Sequence, residues 1–423
     1  MAAAAAARTP DDIVRYAIKP GDTPSELAEH YLTPSHNWRD VMRLAGAGDP
    51  RRLPAGQILS IPVSWLRSVP GQATLVSYRG ILSVTIDGRP VRPATGMTLG
   101  EGTEFATAAD SFATLLLPNG SRVALPSLSR VRVAQLRKLA INGAVRYRLE
   151  LGQGRVDTHV TPLTDPSGRY NITTPISMTA VRGTEYGVSY DSERSVAGTA
   201  VFDGIVAVTP PDGRQPLLVA RNFGAITNRD GRSEKVELLR APDLIDPGKP
   251  QHDDLVTFAV TPVAGATGYH IVLSADAGFV DSYREQSETS PHFAIKDVPD
   301  GNQFVRVSAI AANGLEGQRQ TYTFVRRLAS IHGTATATTD GFLFKWFGAG
   351  AGKRHYRLEI FRDAPQGTPV VDETGLTEDQ VTVKRLPPGI YFWRVGTVQV
   401  GPEGMTENWT DPERLTVTAP SGG

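Results

Sequence analysis

The chain has 423 residues, room by length for about three domains. Its 44 basic and 44 acidic residues give zero formal charge, so nothing suggests bulk attraction to nucleic acid or an acidic membrane. There is no cysteine, which excludes disulfides, thiolate metal sites, a Cys nucleophile and a lipidated Cys. No run of about 20 apolar residues occurs, so no helical membrane span is expected.

Residues 1–7 are one Met and six Ala. They read as what remains around a small-residue cleavage site, with a start Met added, ahead of the alternative of a natural cytosolic start. The expected location is therefore periplasmic or secreted, with the signal peptide removed. An alternating strand (Val14, Tyr16, Ile18) then runs into a Pro-Gly-Asp turn. A helix start follows, with Thr23 as N-cap, Pro24 at the first helical position and Glu26 completing a capping box. A second helix opens at Asn37 with Asp40 three residues on, and residues 57–62 read as a closing strand.

Beyond Leu66 the pattern changes to short alternating runs separated by Gly, Asp, Asn and Pro. Residues 114–117, Pro118-Asn119-Gly120 and residues 122–125 make a hairpin with an Asn-Gly turn. Runs at 145–151, 155–160, 179–181, 186–190, 199–202 and 205–208 continue an all-β domain. The segment 239–251 carries three prolines and reads as a linker. Two similar units follow. Gly268–Leu273 leads to Val298-Pro299-Asp300-Gly301 and then Phe304-Val305-Arg306-Val307. In parallel, His355–Ile360 leads to Leu386-Pro387-Pro388-Gly389 and then Phe392-Trp393-Arg394-Val395. Each has a Tyr-led strand, a Pro-containing turn and an aromatic-led strand carrying Arg-Val, a two-copy repeat of small sandwiches.

Three family resemblances rest on these residues. The β-α-α-β unit at 12–66 resembles the LysM module. That resemblance implies binding of N-acetylglucosamine-containing peptidoglycan strands in a shallow groove, with Gly21, Asp22, Thr23 and Pro24 on one wall and Arg52, Leu53, Pro54 and Ala55 opposite. Loops supply the apolar patch and free backbone groups that N-acetyl groups need. The plainer reading is that Gly21 and Asp22 make the turn and Thr23 caps the helix. Leu44-Ala45-Gly46 departs from the family, which usually has an Asn after the second helix.

The run from Met178 to Val188 (MTAVRGTEYGV) resembles the hallmark of the FecR domain, and the order of motifs upstream and downstream fits it from about Gly80 to Ala225, within a β domain expected at 78–238. In its best-known members this domain is the periplasmic part of a transmembrane regulator that reads a transporter and controls a sigma factor. With no membrane span read here, the β-fold and envelope location are what the resemblance implies for this chain. Units 250–327 and 328–418 resemble fibronectin type III or immunoglobulin-like modules, which implies a spacer or binding role.

Arg182, Gly183, Thr184 and Glu185 invite an active-site reading. A bend at Gly183 pinned by an Arg182–Glu185 ion pair is the structural alternative. The basic stretch Arg130, Arg132, Arg137, Lys138, Arg146 and Arg148 reads mainly as a solvated strand face. The eight histidines show no metal-ligand spacing. His252-Asp253-Asp254 reads as a polar lead-in to a strand before it reads as a metal site. Residues 348–353 lack the G-K-[ST] ending of a phosphate loop and read as a flexible strand connection.

The chain is thus expected to be mainly β and multidomain, non-enzymatic, and without cofactor or metal. Its expected partners are peptidoglycan and an envelope protein to which the β domains are presented. The alternative is a periplasmic regulator sensing another envelope protein through the FecR-like domain.

Overall fold

The structure is a computed structural model that describes residues 12–46, 48–49, 53–210, 215–401 and 404–418. It is mainly β, with several sheets and two short α-helices among the described residues. The chain divides into two compact units. The first comprises Met1–Asp243, Pro262–Thr289 and Arg306–Thr321, and the second Leu244–Thr261, Ser290–Val305 and Tyr322–Gly423.

The first unit opens with β1 (Ile13–Ala17), α1 (Pro24–Tyr31), α2 (Trp38–Ala45) and β2 (Ile58–Pro62). The two strands pair antiparallel, placing Val14 opposite Ile61 and Tyr16 opposite Leu59. Period-2 alternation buries these four, and Leu27, Ala28 and Val41 from the helices close over them. At α2 the capping box forms in full: Arg39 N donates to the Asn37 side chain at 2.9 Å and Asn37 N donates to Asp40 at 3.0 Å. At α1 it differs from expectation. The Thr23 hydroxyl accepts from Glu26 N at 3.2 Å but donates to the Glu26 carboxylate at 2.8 Å, so that carboxylate caps the hydroxyl.

This small module shares its core with the β domain after it. Leu139, Ile141 and Ala144, from the turn between two long strands, are buried in the same cluster as Leu27 and Leu59. Asp12 ties the two together, accepting from Arg146 at 2.8 Å and Arg169 at 2.9 Å.

The β domain runs from Ser68–Pro70 to Ser233–Glu237 and closes into a barrel around a filled apolar core. Val145–His159 is the strand that joins its two halves. Its first part pairs with Arg130–Leu139 and, in parallel, with Arg169–Thr174. Its second part pairs with Arg122–Leu125 and Glu185–Asp191. Gly154 sits at the crossing with φ +83, and a Cβ there would lie 2.4 Å from the Leu128 carbonyl oxygen. Only glycine takes that conformation in that space.

Strands Ala266–Ser274 and Ser282–Glu288 pair antiparallel and belong to this unit. The loop between them lies against the barrel, where Thr114 donates to the Val280 carbonyl at 2.8 Å and Arg79 Nε to Asp281 at 2.8 Å.

In the second unit, Val256–Ala259 pairs with His292–Ile295. The C-terminal part is a two-sheet sandwich. One sheet is Ser330–Thr338, Gly341–Ala349 and Gln380–Lys384. The other is built on Lys353–Arg362 and Gly389–Gly401. Phe344 and Trp393 meet edge-to-face in its core, ring centroids 5.1 Å apart. Residues 350–352 connect two of its strands.

Candidate functional site

The two loops named for glycan binding lie side by side. Ile18 N donates to the Gln57 carbonyl at 2.9 Å, and Gly56 N donates back to the Ile18 carbonyl at 2.8 Å. Gly21, Thr23, Pro54 and Ala55 are exposed, Asp22 and Leu53 are half-buried and Pro24 is buried. Arg52 lies outside the described residues. Asp22 is engaged within its own turn: the Tyr16 hydroxyl donates to it at 2.9 Å and Lys19 N at 2.7 Å. Burial, together with this carboxylate, pushes the Tyr16 phenol up to about 12. Of the residues named, these loops thus leave Gly21, Thr23, Pro54 and Ala55 exposed, a strip of backbone and small side chains.

The Arg182–Gly183–Thr184–Glu185 motif is mostly architectural. Gly183 has φ +139, and a Cβ there would lie 2.8 Å from Pro162 Cα. Arg182 does not pair with Glu185. Its guanidinium donates to the Asp165 carbonyl at 3.1 Å, across the bend at residues 182–183. Glu185 instead approaches His159 at 4.0 Å. Of the basic stretch, Arg132 pairs with Glu150, Arg137 with Glu101 and Arg146 with Asp12. His252 bonds the Arg327 carbonyl at 3.0 Å, and Asp254 bonds Ser330 and His332. Among the described residues no cluster of three or more His, Cys, Asp or Glu could hold a metal ion.

A second site was not anticipated. Within the first unit a cleft of about 270 Å³ is lined by strands 112–126, 155–159 and 185–186 and by residues of 272–285 and 306–319. On Val145–His159, alternation sends Val156 and Thr158 into the barrel core and Arg155 and Asp157 to the other face. There they meet Glu316 and Arg319. Arg319 Nη2 lies 2.7 Å from Asp157 and 3.0 Å from Glu316. Arg155 bridges the same two carboxylates, reaching Asp157 at 2.7 Å. Gly187 makes room for this, since a Cβ there would lie 2.7 Å from Asp157 Oδ1.

His270 extends the network, 3.2 Å from Glu285 and 3.5 Å from Glu316. Burial works against the charged forms throughout, but the pairing outweighs it. Arg155 and Arg319 hold the Asp157 and Glu316 carboxyls below their usual range, and the two glutamates raise His270.

Arg306 stands apart. It lines the cleft, and its guanidinium lies 3.7 Å from the Phe279 ring centroid. Burial, then repulsion from Arg319, pushes it down to about 10. Neither Arg306 nor its neighbour in the cleft, Arg122, has a side-chain ion pair among the described residues.

Comparison with known proteins bears on the β domain. Residues 103–207 match the FecR protein family. This FecR domain supplies the cleft's Arg122, Arg155, Asp157, His159 and Glu185. No curated protein sequence matches the chain. Among solved structures, the chain is similar to a candidate anti-sigma factor of Parabacteroides distasonis, at 18% identity and TM-score 0.26, over 32% of this chain and 59% of that one. It thus spans little more than half of that relative's length. It is also similar to the FN1–FN3 domains of chicken CNTN1 (13% identity, TM-score 0.20, 60% of this chain and 98% of that one). A two-domain fibronectin type III segment of chicken tenascin aligns at 15% identity and TM-score 0.20, over 42% of this chain and all of that one. Among the described residues no helix is long and apolar enough to cross a membrane.

Proposed function

We propose that this is a non-enzymatic cell-envelope protein, periplasmic or secreted, that works in signalling. The β-α-α-β module holds peptidoglycan through its N-acetylglucosamine units, and the FecR domain and sandwich strands offer a binding surface to an envelope protein. The FecR match over 103–207 is the observation that carries the signalling half. The glycan half is supported by the paired loops at 18–24 and 53–57. They leave small side chains and backbone groups exposed on a well-capped scaffold, as a groove for an N-acetylated sugar chain requires.

Sedimentation with purified peptidoglycan sacculi tests this. The full chain is expected to pellet, and Ala55→Trp, which fills the strip without touching the core, is expected to stay largely soluble. If the full chain stays in the supernatant, or if both chains pellet equally, the groove assignment fails.

A further inference from the structure

The two sandwich repeats differ at one position with a chemical consequence. In the C-terminal repeat Glu359 and Arg394 sit opposite each other on paired strands. Arg394 donates to Glu359 from Nε at 2.8 Å, and its guanidinium also lies 4.5 Å from the Trp409 ring centroid. The repeat runs Tyr356-Arg357-Leu358-Glu359-Ile360 against Tyr269-His270-Ile271-Val272-Leu273, and Phe392-Trp393-Arg394-Val395 against Phe304-Val305-Arg306-Val307. Arg306 is therefore the counterpart of Arg394, and Val272 stands where its carboxylate would be. Both Val272 and Arg306 line the cleft. Arg306 keeps the aromatic contact, through Phe279, and has lost the acid.

A half-buried guanidinium without a carboxylate is unfavourable unless something supplies one. Asp157, Glu185 and Glu316 attract Arg306 across the cleft, but none of them forms an ion pair with it, and Glu185 lies 4.0 Å from His159. Asp157 and Glu316 are held by Arg155 and Arg319, and Glu285 by His270 and the Ser127 N–H. Asp276 lies on the loop beside Arg122, but it accepts from the backbone of Gly278, Val280 and Asp281. The wall also has an apolar part, with Val272, Phe112 and the Phe279 ring on which Arg306 lies.

We propose that this cleft binds an organic carboxylate with an apolar body, its carboxylate placed on Arg306 where the other repeat has Glu359, and with Arg122 adding a second cation. Phe279 and Val272 hold the apolar part. This assignment stands apart from the glycan groove and deepens the signalling reading, since most of the charged wall belongs to the FecR domain.

Calorimetric titration of the full chain with N-acetylphenylalanine, its amide and inorganic phosphate tests the proposal. The acid is expected to bind about tenfold or more tightly than the amide, the scale of a charge-assisted hydrogen bond, and more tightly than phosphate. Val272→Glu restores the internal pair and is expected to abolish acid binding while leaving the melting temperature unchanged or raised. Arg306→Met is expected to abolish acid binding as well, by removing the guanidinium on which the carboxylate is placed. No saturable binding of the acid up to about 10 mM would overturn the proposal. So would equal binding of acid and amide, tighter phosphate, or undiminished binding by Val272→Glu.

Discussion

Arg319 Nη2 and Asp157 Oδ1 lie 2.7 Å apart although 162 positions separate them in the chain. Both side chains are largely buried, and Glu316 and Arg155 close the pair into a four-membered network. The network joins the FecR domain to the strand that follows in the first sandwich repeat. Desolvating four charges opposes their attraction, so such a network adds little net stability when whole and is strongly destabilising when one member is removed.

Asp157→Asn is accordingly expected to destabilise the first unit by about 3–5 kcal/mol. Urea unfolding followed by circular dichroism would show this as a lowered midpoint. The apolar replacement Asp157→Leu with Arg319→Met should recover a large part of the loss. If Asp157→Asn unfolds at the parent's midpoint, the network is not what joins these strands.

The same network predicts opposite pH dependences. His270 is raised above its ordinary value of 6.5: burial opposes its charged form, as does Arg155, but Glu285 and Glu316 facing it outweigh them. A raised folded value means its contribution is fully present below about pH 6.5 and lost as pH rises through the folded value. Glu316 is held well below its ordinary 4.5, so its contribution is present above about pH 4.5 and lost as pH falls through the folded value. His270→Gln should remove the alkaline loss and leave the acid limb. Melting curves from about pH 2 to about 9 would check both limbs.

Gly183→Ala places a Cβ against Pro162 backbone at a φ that side chains rarely adopt. A loss of about 1–3 kcal/mol is expected from that strain, with more where the strand must shift. Calorimetric melting would measure it, and a neutral result would remove the architectural role assigned to this motif.

Thr23→Ala removes the hydroxyl that caps α1 and should cost about 1 kcal/mol. The effect should be local, with faster amide hydrogen exchange at Glu26 and its neighbours and unchanged exchange in the barrel.

The first module was legible in the sequence because its signals are local: period-2 alternation in β1, caps at Thr23 and Asn37, and Pro24 at the helix start. The FecR strands were legible for the same reason, through Asn119-Gly120 and the alternation around 179–190. The cleft was not. Arg155 and Asp157 read as ordinary outward-facing strand residues, and their partners Glu316 and Arg319 come from strands far along the chain. His270 looked isolated because sequence spacing carries no record of Glu285 and Glu316 on either side of it. A signal did exist in the repeat, where Val272 replaces an acid opposite an arginine kept in both copies. The Arg182–Glu185 pairing failed because the bend at Gly183 lies between them and Arg182 is taken up by the Asp165 carbonyl.

The glycan groove is the central assignment for this protein. Calorimetric titration of the full chain with a soluble N-acetylglucosamine tetramer, beside the Ala55→Trp variant, tests it most directly. Saturable binding by the parent that weakens sharply in the variant, with both melting alike, is the predicted result. No binding by the parent, or binding unaltered by Ala55→Trp, would contradict it.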